Sequence, residues 1–346
     1  MKLGFIYDCA GQLSFYVKNG VAYDYKSNQP YTHVHSVSPS LYMAGWNYPF
    51  LWEGSSFLNL SEWINNDKDF PDEDFDLIFY ANERAGLDPN TYDLYRTERL
   101  RDRYPNAKIY AWFKEVNLPH RPGRQEIREE NRIKWLSGFG ENIILGALSC
   151  MKDLPQIKAI ENKLGFKIKN FISCPINIEG LFKNFYSDTK ELSVYSYTPN
   201  PIDRRANTME FCNYLGNKYK LPVRFKPLRP HQEFSYLSQK EFIELWSPSL
   251  FHVNLDPLIT QPGQQGIQVA CVGSINIGGM NESHQLLFPE TATRDLKVVE
   301  EKFKEYLTDE VSRFKAIEYA WNKVNELYSF KVVKKQILDI VSNYDG

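Results

Sequence analysis

Thr260-Gln261-Pro262-Gly263-Gln264-Gln265-Gly266 sets two glycines three positions apart with two amide side chains between them. A bend of this kind that opens a helix aims free backbone N–H groups and the positive end of the helix dipole at one point. That is the chemistry a diphosphate needs. Gln264 and Gln265 add side-chain donors for phosphate or for sugar hydroxyls. By itself Pro-Gly-x-x-Gly is an ordinary turn. Its setting gives it weight, because an apolar run from Leu250 to Leu255 precedes it and a small-residue stretch ending at Gly273 follows. Arg204 and Arg205 are the matching cations. A guanidinium grips phosphate through two hydrogen bonds, and a cation pair at a helix start opposes the dipole unless an anion lies near. The plain alternative is a solvated pair. For proton transfer the candidates are Asp8 and Glu83, near the ends of apolar runs, and His120, for which a structural or surface role is the commoner one.

These residues need elements to hold them. Lys2 to Tyr7, Asp76 to Ala81, Ala107 to Phe113, Asn142 to Ala147 and Lys169 to Ser173 read as buried strands, and Tyr92 to Tyr104, Gln125 to Ser137 and Leu154 to Leu164 as helices between them. Residues 13–50 read as irregular, with short strands as the alternative. The alternation restarts with strands at Leu192 to Tyr197, Val223 to Lys226, Leu250 to Leu255 and Gly273 to Ile277. The helices there run over Ala206 to Tyr219, Gln239 to Leu245 and Gly266 to Cys271. Two long amphipathic helices, 295–307 and 309–342, close the chain. Strand–helix alternation predicts an α/β fold with parallel sheets covered by helices, here twice over. In such sheets ligands bind beyond the carboxyl ends of the strands. That rule selects Asp8, Gly11, Gln12, Asn82, Glu83, Lys114 and Glu115 in the first half, and Asn254, Asp256 and the 260–266 bend in the second. The expected division is 1–178, 179–330 and a terminal helix at 331–346.

Composition narrows the function. With 346 residues the chain is long enough for two domains. Its net charge of −2 excludes a polyelectrolyte partner for the chain as a whole. The longest apolar runs, such as Ile143 to Leu148, are too short to span a membrane. Met1 to Tyr7 runs straight into Asp8 and is too short for a signal peptide. Five scattered cysteines with no Cys-x-x-Cys indicate neither zinc site nor disulfide framework, so a reducing cytoplasm is the expected location. No Gly-x-Gly-x-x-Gly follows the first strand, which argues against a dinucleotide-dependent dehydrogenase.

From Leu250 to Gly279 the sequence resembles the donor-site segment of GT-B glycosyltransferases: a strand, a loop, a short helix of small residues ending in Gly (Ala270-Cys271-Val272-Gly273), and a strand (Ser274-Ile275-Asn276). The order of elements resembles the family along the whole chain; the sequence does so over roughly 250–290. The resemblance implies two Rossmann-like domains facing a cleft, with the terminal helix crossing back to the first. It implies transfer of a sugar from a nucleotide-sugar, a UDP-sugar above all, with no metal required. Donor contacts would come from Arg204, Arg205, Arg229, Asp256, Pro262, Gly263, Gln264, Gln265, Gly266 and Gln268. Many retaining members carry two Glu eight positions apart in this segment. Thr260 and Gln268 stand at those places here, so both stereochemical courses stay open.

The same resemblance puts the acceptor on the first domain, with Asp8, Glu83 or His120 as base or orienting group and Gly11, Gln12, Lys114, Arg121 and Arg124 as contacts. His120-Arg121-Pro122-Gly123-Arg124 is a basic loop able to touch phosphates. Phage DNA glucosyltransferases share the GT-B architecture, which makes a hydroxymethylated base in DNA one candidate acceptor. The surrounding acids, Glu98, Asp102, Glu126, Glu129 and Glu130, fit an ordinary solvated face equally. A glycan, a lipid-linked sugar or a small molecule is the alternative acceptor. From other classes, a non-catalytic nucleotide-sugar binder remains, and a two-domain epimerase is disfavoured for want of clustered carboxylates and His.

Overall fold

The computed structural model describes residues 1–7, 14–30, 47–59, 73–81, 92–113, 125–146, 152–196, 207–225, 239–255 and 263–342. The chain forms two compact units. Among the described residues, the first takes those up to 174 and those from 336 onward, and the second takes 175–335. No described helix is long and apolar enough to cross a membrane.

The first unit is built on strands β1 (Leu3–Tyr7), β2 (Phe15–Lys18), β3 (Val21–Asp24), β4 (Ser56–Asn59), β5 (Leu77–Ala81), β6 (Lys108–Phe113), β7 (Ile143–Leu145) and β8 (Asn170–Phe171). They form one sheet in the order β3-β2-β4-β1-β5-β6-β7-β8. From β4 to β8 every pairing is parallel. Strands buried on both faces read as unbroken apolar runs, and β1 and β5 are buried at every position. Helices α1 (Tyr92–Arg103), α2 (Gln125–Ser137) and α3 (Pro155–Leu164) alternate with the strands. Pro155 opens α3 where its missing N–H costs nothing, and Gly165 closes it at φ 79°. The core is aromatic. Phe5 stacks on Tyr48 at 5.5 Å and on Phe57 at 6.0 Å and meets Trp112 edge-on at 5.2 Å. The buried Tyr48 hydroxyl donates to the Ser173 carbonyl at 3.0 Å, which satisfies its polar tip.

Of the two readings for residues 13–50, short strands hold at 15–24: these residues are a hairpin whose strands pair antiparallel, as does β2 with β4. Asn19 (φ 52°) and Gly20 (φ 72°) form its two-residue turn, which needs positive φ at both places. Strand β4 had no counterpart in the sequence reading.

The second unit carries β9 (Glu191–Ser196), β10 (Val223–Phe225), β11 (Ser249–Val253) and β12 (Ile275–Ile277) in an all-parallel sheet ordered β10-β9-β11-β12. Its helices are α4 (Asn207–Tyr219), α5 (Gln239–Trp246), α6 (Gln264–Cys271), α7 (Glu282–Leu287), α8 (Leu296–Thr308) and α9 (Glu310–Tyr328). Asp295 and Asp309 cap α8 and α9 through their carboxylates. Phe303 of α8 packs on Phe251 of β11 at 4.5 Å. The single helix expected over 309–342 is two, because Ser329 is extended (φ −61°, ψ 151°) and α10 (Phe330–Ser342) begins after it. Ser329 bridges to Ile176, whose N–H donates to the Tyr328 carbonyl at 2.9 Å.

Candidate functional site

Three helices of the second unit begin near the carboxyl ends of its strands. Helix α4 brings Thr208, whose hydroxyl accepts from Leu255 N–H just beyond β11 at 3.1 Å. Helix α6 starts at Gln264, two residues earlier than the sequence reading placed it, so Gln264 to Gly266 form its first turn. Helix α7 starts at Glu282 and had no counterpart in the sequence reading.

Gly263 is the N-cap of α6, left-handed at φ 68°, ψ 62°, and no side chain caps it. The first N–H groups of an α-helix lack the usual partner one turn back, and with eight residues α6 keeps a distinct amino end, where Gly266 N–H donates to the Gly263 carbonyl at 3.0 Å. The glycines answer first to packing. A Cβ on Gly263 would fall on the Asn281 amide, and one on Gly266 on Ser283 and the His284 ring. Asn281 in turn caps α7, its Oδ1 accepting from His284 N–H at 3.2 Å, and Ser283 Oγ donates to the Gly263 carbonyl. The amino ends of α6 and α7 are thus fastened to each other. Beside them Gly278 (φ 78°) and Gly279 (φ 87°) turn the chain out of β12. A Cβ on Gly279 would strike His284 and the Asn254 carbonyl.

Polar side chains fill this corner. Asn254 Nδ2 donates to Gln265 Oε1 at 2.8 Å, which fixes the Gln265 amide. Gln265 is 7% exposed, and its Nε2 has no hydrogen-bond partner among the described residues. Gln268, one turn on along α6, is 2% exposed. The Asn276 amide donates to the Gly278 carbonyl at 2.9 Å while its Oδ1 stays unpartnered. Buried Glu282 accepts from the Tyr328 hydroxyl at 3.2 Å. A buried polar atom without a partner costs about 1–3 kcal/mol. The Gln265 donor beside a helix amino end suits a ligand rich in oxygen, whereas the Asn276 acceptor calls for a donor such as a hydroxyl.

Titratable groups elsewhere in the unit serve structure. His252 of β11 is fully buried between Tyr195 and Trp246, and its Nε2–H donates to the Ser249 carbonyl at 3.1 Å. Burial pulls its pKa down to about 3, against which the Ser249 bond works weakly. Lys190, just before β9 and so at the opposite end of the sheet, donates to the Ser247 and Phe185 carbonyls, and burial lowers its pKa to about 8.

Of the residues singled out in the sequence, Gly263, Gln265, Gly266 and Gln268 come together here, with the backbone of Gln264. The Gln264 side chain and Asp8, Gly11, Gln12, Glu83, Lys114, His120, Arg121, Arg124, Arg204, Arg205, Arg229, Asp256 and Pro262 lie outside the described residues. Thr208, Ser283 and His284 escaped the sequence reading. Asn281 followed by Glu282 and the apolar Leu286-Leu287 was the available sign of α7's start.

No protein-family model matches the chain, and no curated protein matches its sequence. Solved structures match it along most of its length. An alpha-glucosyltransferase (AGT) in complex with UDP covers 84% of this chain with 86% of its own, at a TM-score of 0.52 and 11% identity. The same kind of enzyme with UDP and a 13-mer DNA containing an HMU base gives a TM-score of 0.51 at 11% identity, over 84% of this chain and 85% of its own. Anabaena HepE in complex with UDP-glucose covers 99% of this chain with 100% of its own, at a TM-score of 0.58 and 7% identity. At such low identity the likeness is one of fold: the chain shares with these UDP-bound and UDP-glucose-bound proteins an α/β architecture with parallel sheets.

Proposed function

We propose that this chain is a glycosyltransferase that moves a sugar from a nucleotide-sugar, a UDP-sugar first of all, to an acceptor hydroxyl. One observation carries the reading: the uncapped amino end of α6 lies at the carboxyl ends of a parallel sheet, beside the unpartnered Gln265 amide, in a fold shared with UDP-bound enzymes. In this reading residues 179–330 hold the donor. The diphosphate lies against the backbone around Gly263 to Gly266, with Gln264, Gln265 and Gln268 donating to its oxygens or to sugar hydroxyls. Pro262 shapes the bend, Arg204 and Arg205 neutralise the phosphates, and Arg229 and Asp256 contact the nucleoside. Backbone N–H groups and guanidinium, rather than a metal, carry the charge that develops on the leaving nucleotide.

Residues 1–178 hold the acceptor in this reading. Asp8, Glu83 or His120 accepts the proton of the attacking hydroxyl or orients it, and Gly11, Gln12, Lys114, Arg121 and Arg124 position the acceptor. A hydroxymethylated base in DNA is the acceptor to try first. It would have to leave the stack, at a cost of a few kcal/mol.

Thermal melting with UDP, UDP-glucose and other nucleoside diphosphates tests the donor half. At a hundred times its dissociation constant a ligand stabilises by about 2.7 kcal/mol. No shift with any of them overturns the proposal. Transfer from labelled UDP-sugars to hydroxymethylated DNA, plain DNA and simple glycosides tests the acceptor half. Binding without transfer or hydrolysis on any acceptor would leave a nucleotide-sugar binder in its place.

A further inference from the structure

A cavity of about 400 Å³ opens in the second unit where α7 ends. The segment 287–291, the last turn of α8 and the first turns of α9 enclose it. Leu287, the last of the six residues of α7, lines the cavity and lies roughly 8 Å along the helix axis from Glu282. The volume lies within the range of small-molecule sites.

Its walls combine aromatic rings with charges that cancel. Phe288 and Tyr306 are buried in it, and Tyr319 is 44% exposed beside them. Lys302 Nζ reaches Glu290 at 2.8 Å and Glu305 at 2.9 Å, and the Tyr306 hydroxyl donates to Glu290 at 3.0 Å. Both carboxylates are therefore pinned, yet each keeps lone pairs for further donors. Lys315 brings an ammonium to the lining itself, whereas Lys302 pairs with the two carboxylates without lining the cavity. With Lys302 counted, the cluster carries no net charge. An anion such as a nucleotide would meet Glu290 and Glu305, and a cation would meet Lys315. A purely apolar guest would strip water from all of them without return. A molecule with hydroxyl donors on its edges and C–H groups on its faces satisfies both kinds of wall, because the negative face of an aromatic ring attracts C–H groups.

We propose that this cavity binds a neutral saccharide of one or two hexose units, at a site separate from the amino end of α6. The proposal stands apart from the transferase reading, since a sugar held here need not be donor or acceptor.

The test is calorimetric titration of the full-length chain with glucose, maltose and cellobiose, repeated with saturating UDP. Saturable binding of at least one sugar is expected. Tyr319→Ala should weaken it about tenfold by removing the ring face. Ala316→Phe should abolish it by filling the space. Neither change should alter the UDP melting shift. Failure of all three sugars to bind the unaltered chain overturns the proposal, and so does unchanged affinity in both variants. Absence of a UDP shift alongside saturable sugar binding would sink the transferase reading and leave this one standing.

Discussion

The two units bury different chemistry. In the first, the interior along β1, β4, β5 and β6 is a set of stacked and edge-on rings: Phe5, Phe57, Phe79, Trp112 and Tyr48. In the second, the sheet's carboxyl end buries Asn254, Gln265, Gln268, Asn276, Asn281, Ser283 and His284. Ring packing gains most of its stability from area removed from water, at about 25 cal/mol per Å². Buried amides gain little net stability and lose heavily when a partner is missing. The second arrangement makes physical sense where a polar guest completes it. Damage to the first unit should therefore appear as lost stability, and damage to this corner of the second as lost binding.

The largest effect belongs to the ring cluster. Phe5→Ala should cost about 3–5 kcal/mol in chemical denaturation while the surviving folded protein keeps its UDP affinity. A large loss of UDP affinity in folded protein would break the contrast. Gly263→Val comes next. It forces a branched side chain into left-handed backbone and onto Asn281, and it should remove the UDP melting shift. Gln265→Ala deletes the fixed amide donor and should weaken UDP about tenfold, with a fall in melting temperature because buried Asn254 loses its acceptor. An unaltered dissociation constant would show that the amide answers to the fold alone.

The smallest effect sharpens the comparison through pH. His252 is neutral when folded because its pKa lies near 3, whereas the unfolded imidazole titrates near 6.5. Its contribution is complete above about pH 6.5 and is lost as pH falls toward 3. Lys190, lowered to about 8, is protonated in both states throughout that window. Melting followed from pH 7 to pH 5 should fall less steeply in His252→Phe than in the unaltered chain. Equal slopes would mean that another group sets the acid limb.

The sequence showed the parallel strands because burial on both faces leaves runs such as Leu77 to Ala81, which any reading of periodicity finds. It showed the amide-rich bend because glycine and glutamine are conspicuous in a hydrophobic stretch. It also held a hairpin sign that was passed over. Asn19-Gly20 between Phe-Tyr-Val-Lys and Val-Ala-Tyr-Asp has the turn residues that two-residue loops demand, and the aromatic residues around it obscured the alternation. The fastening of Gly263 to Asn281 and of Gly266 to His284 was beyond reach, because contacts between helices follow from packing, not from local pattern. The break at Ser329 was hidden for a similar reason. Nothing in Leu327-Tyr328-Ser329-Phe330 forbids a helix, and the extended backbone there coincides with the bridge to Ile176.

That bridge gives the second unit an unusual relation to the polypeptide it interrupts. Ile176 stands just after the chain enters the unit, and Tyr328 shortly before it leaves, and a backbone hydrogen bond joins them. The doorway in and the doorway out share one frame. A piece spanning 175–335, cut free, would carry its two ends side by side, ready to be sealed into a ring or reopened at another point along the loop.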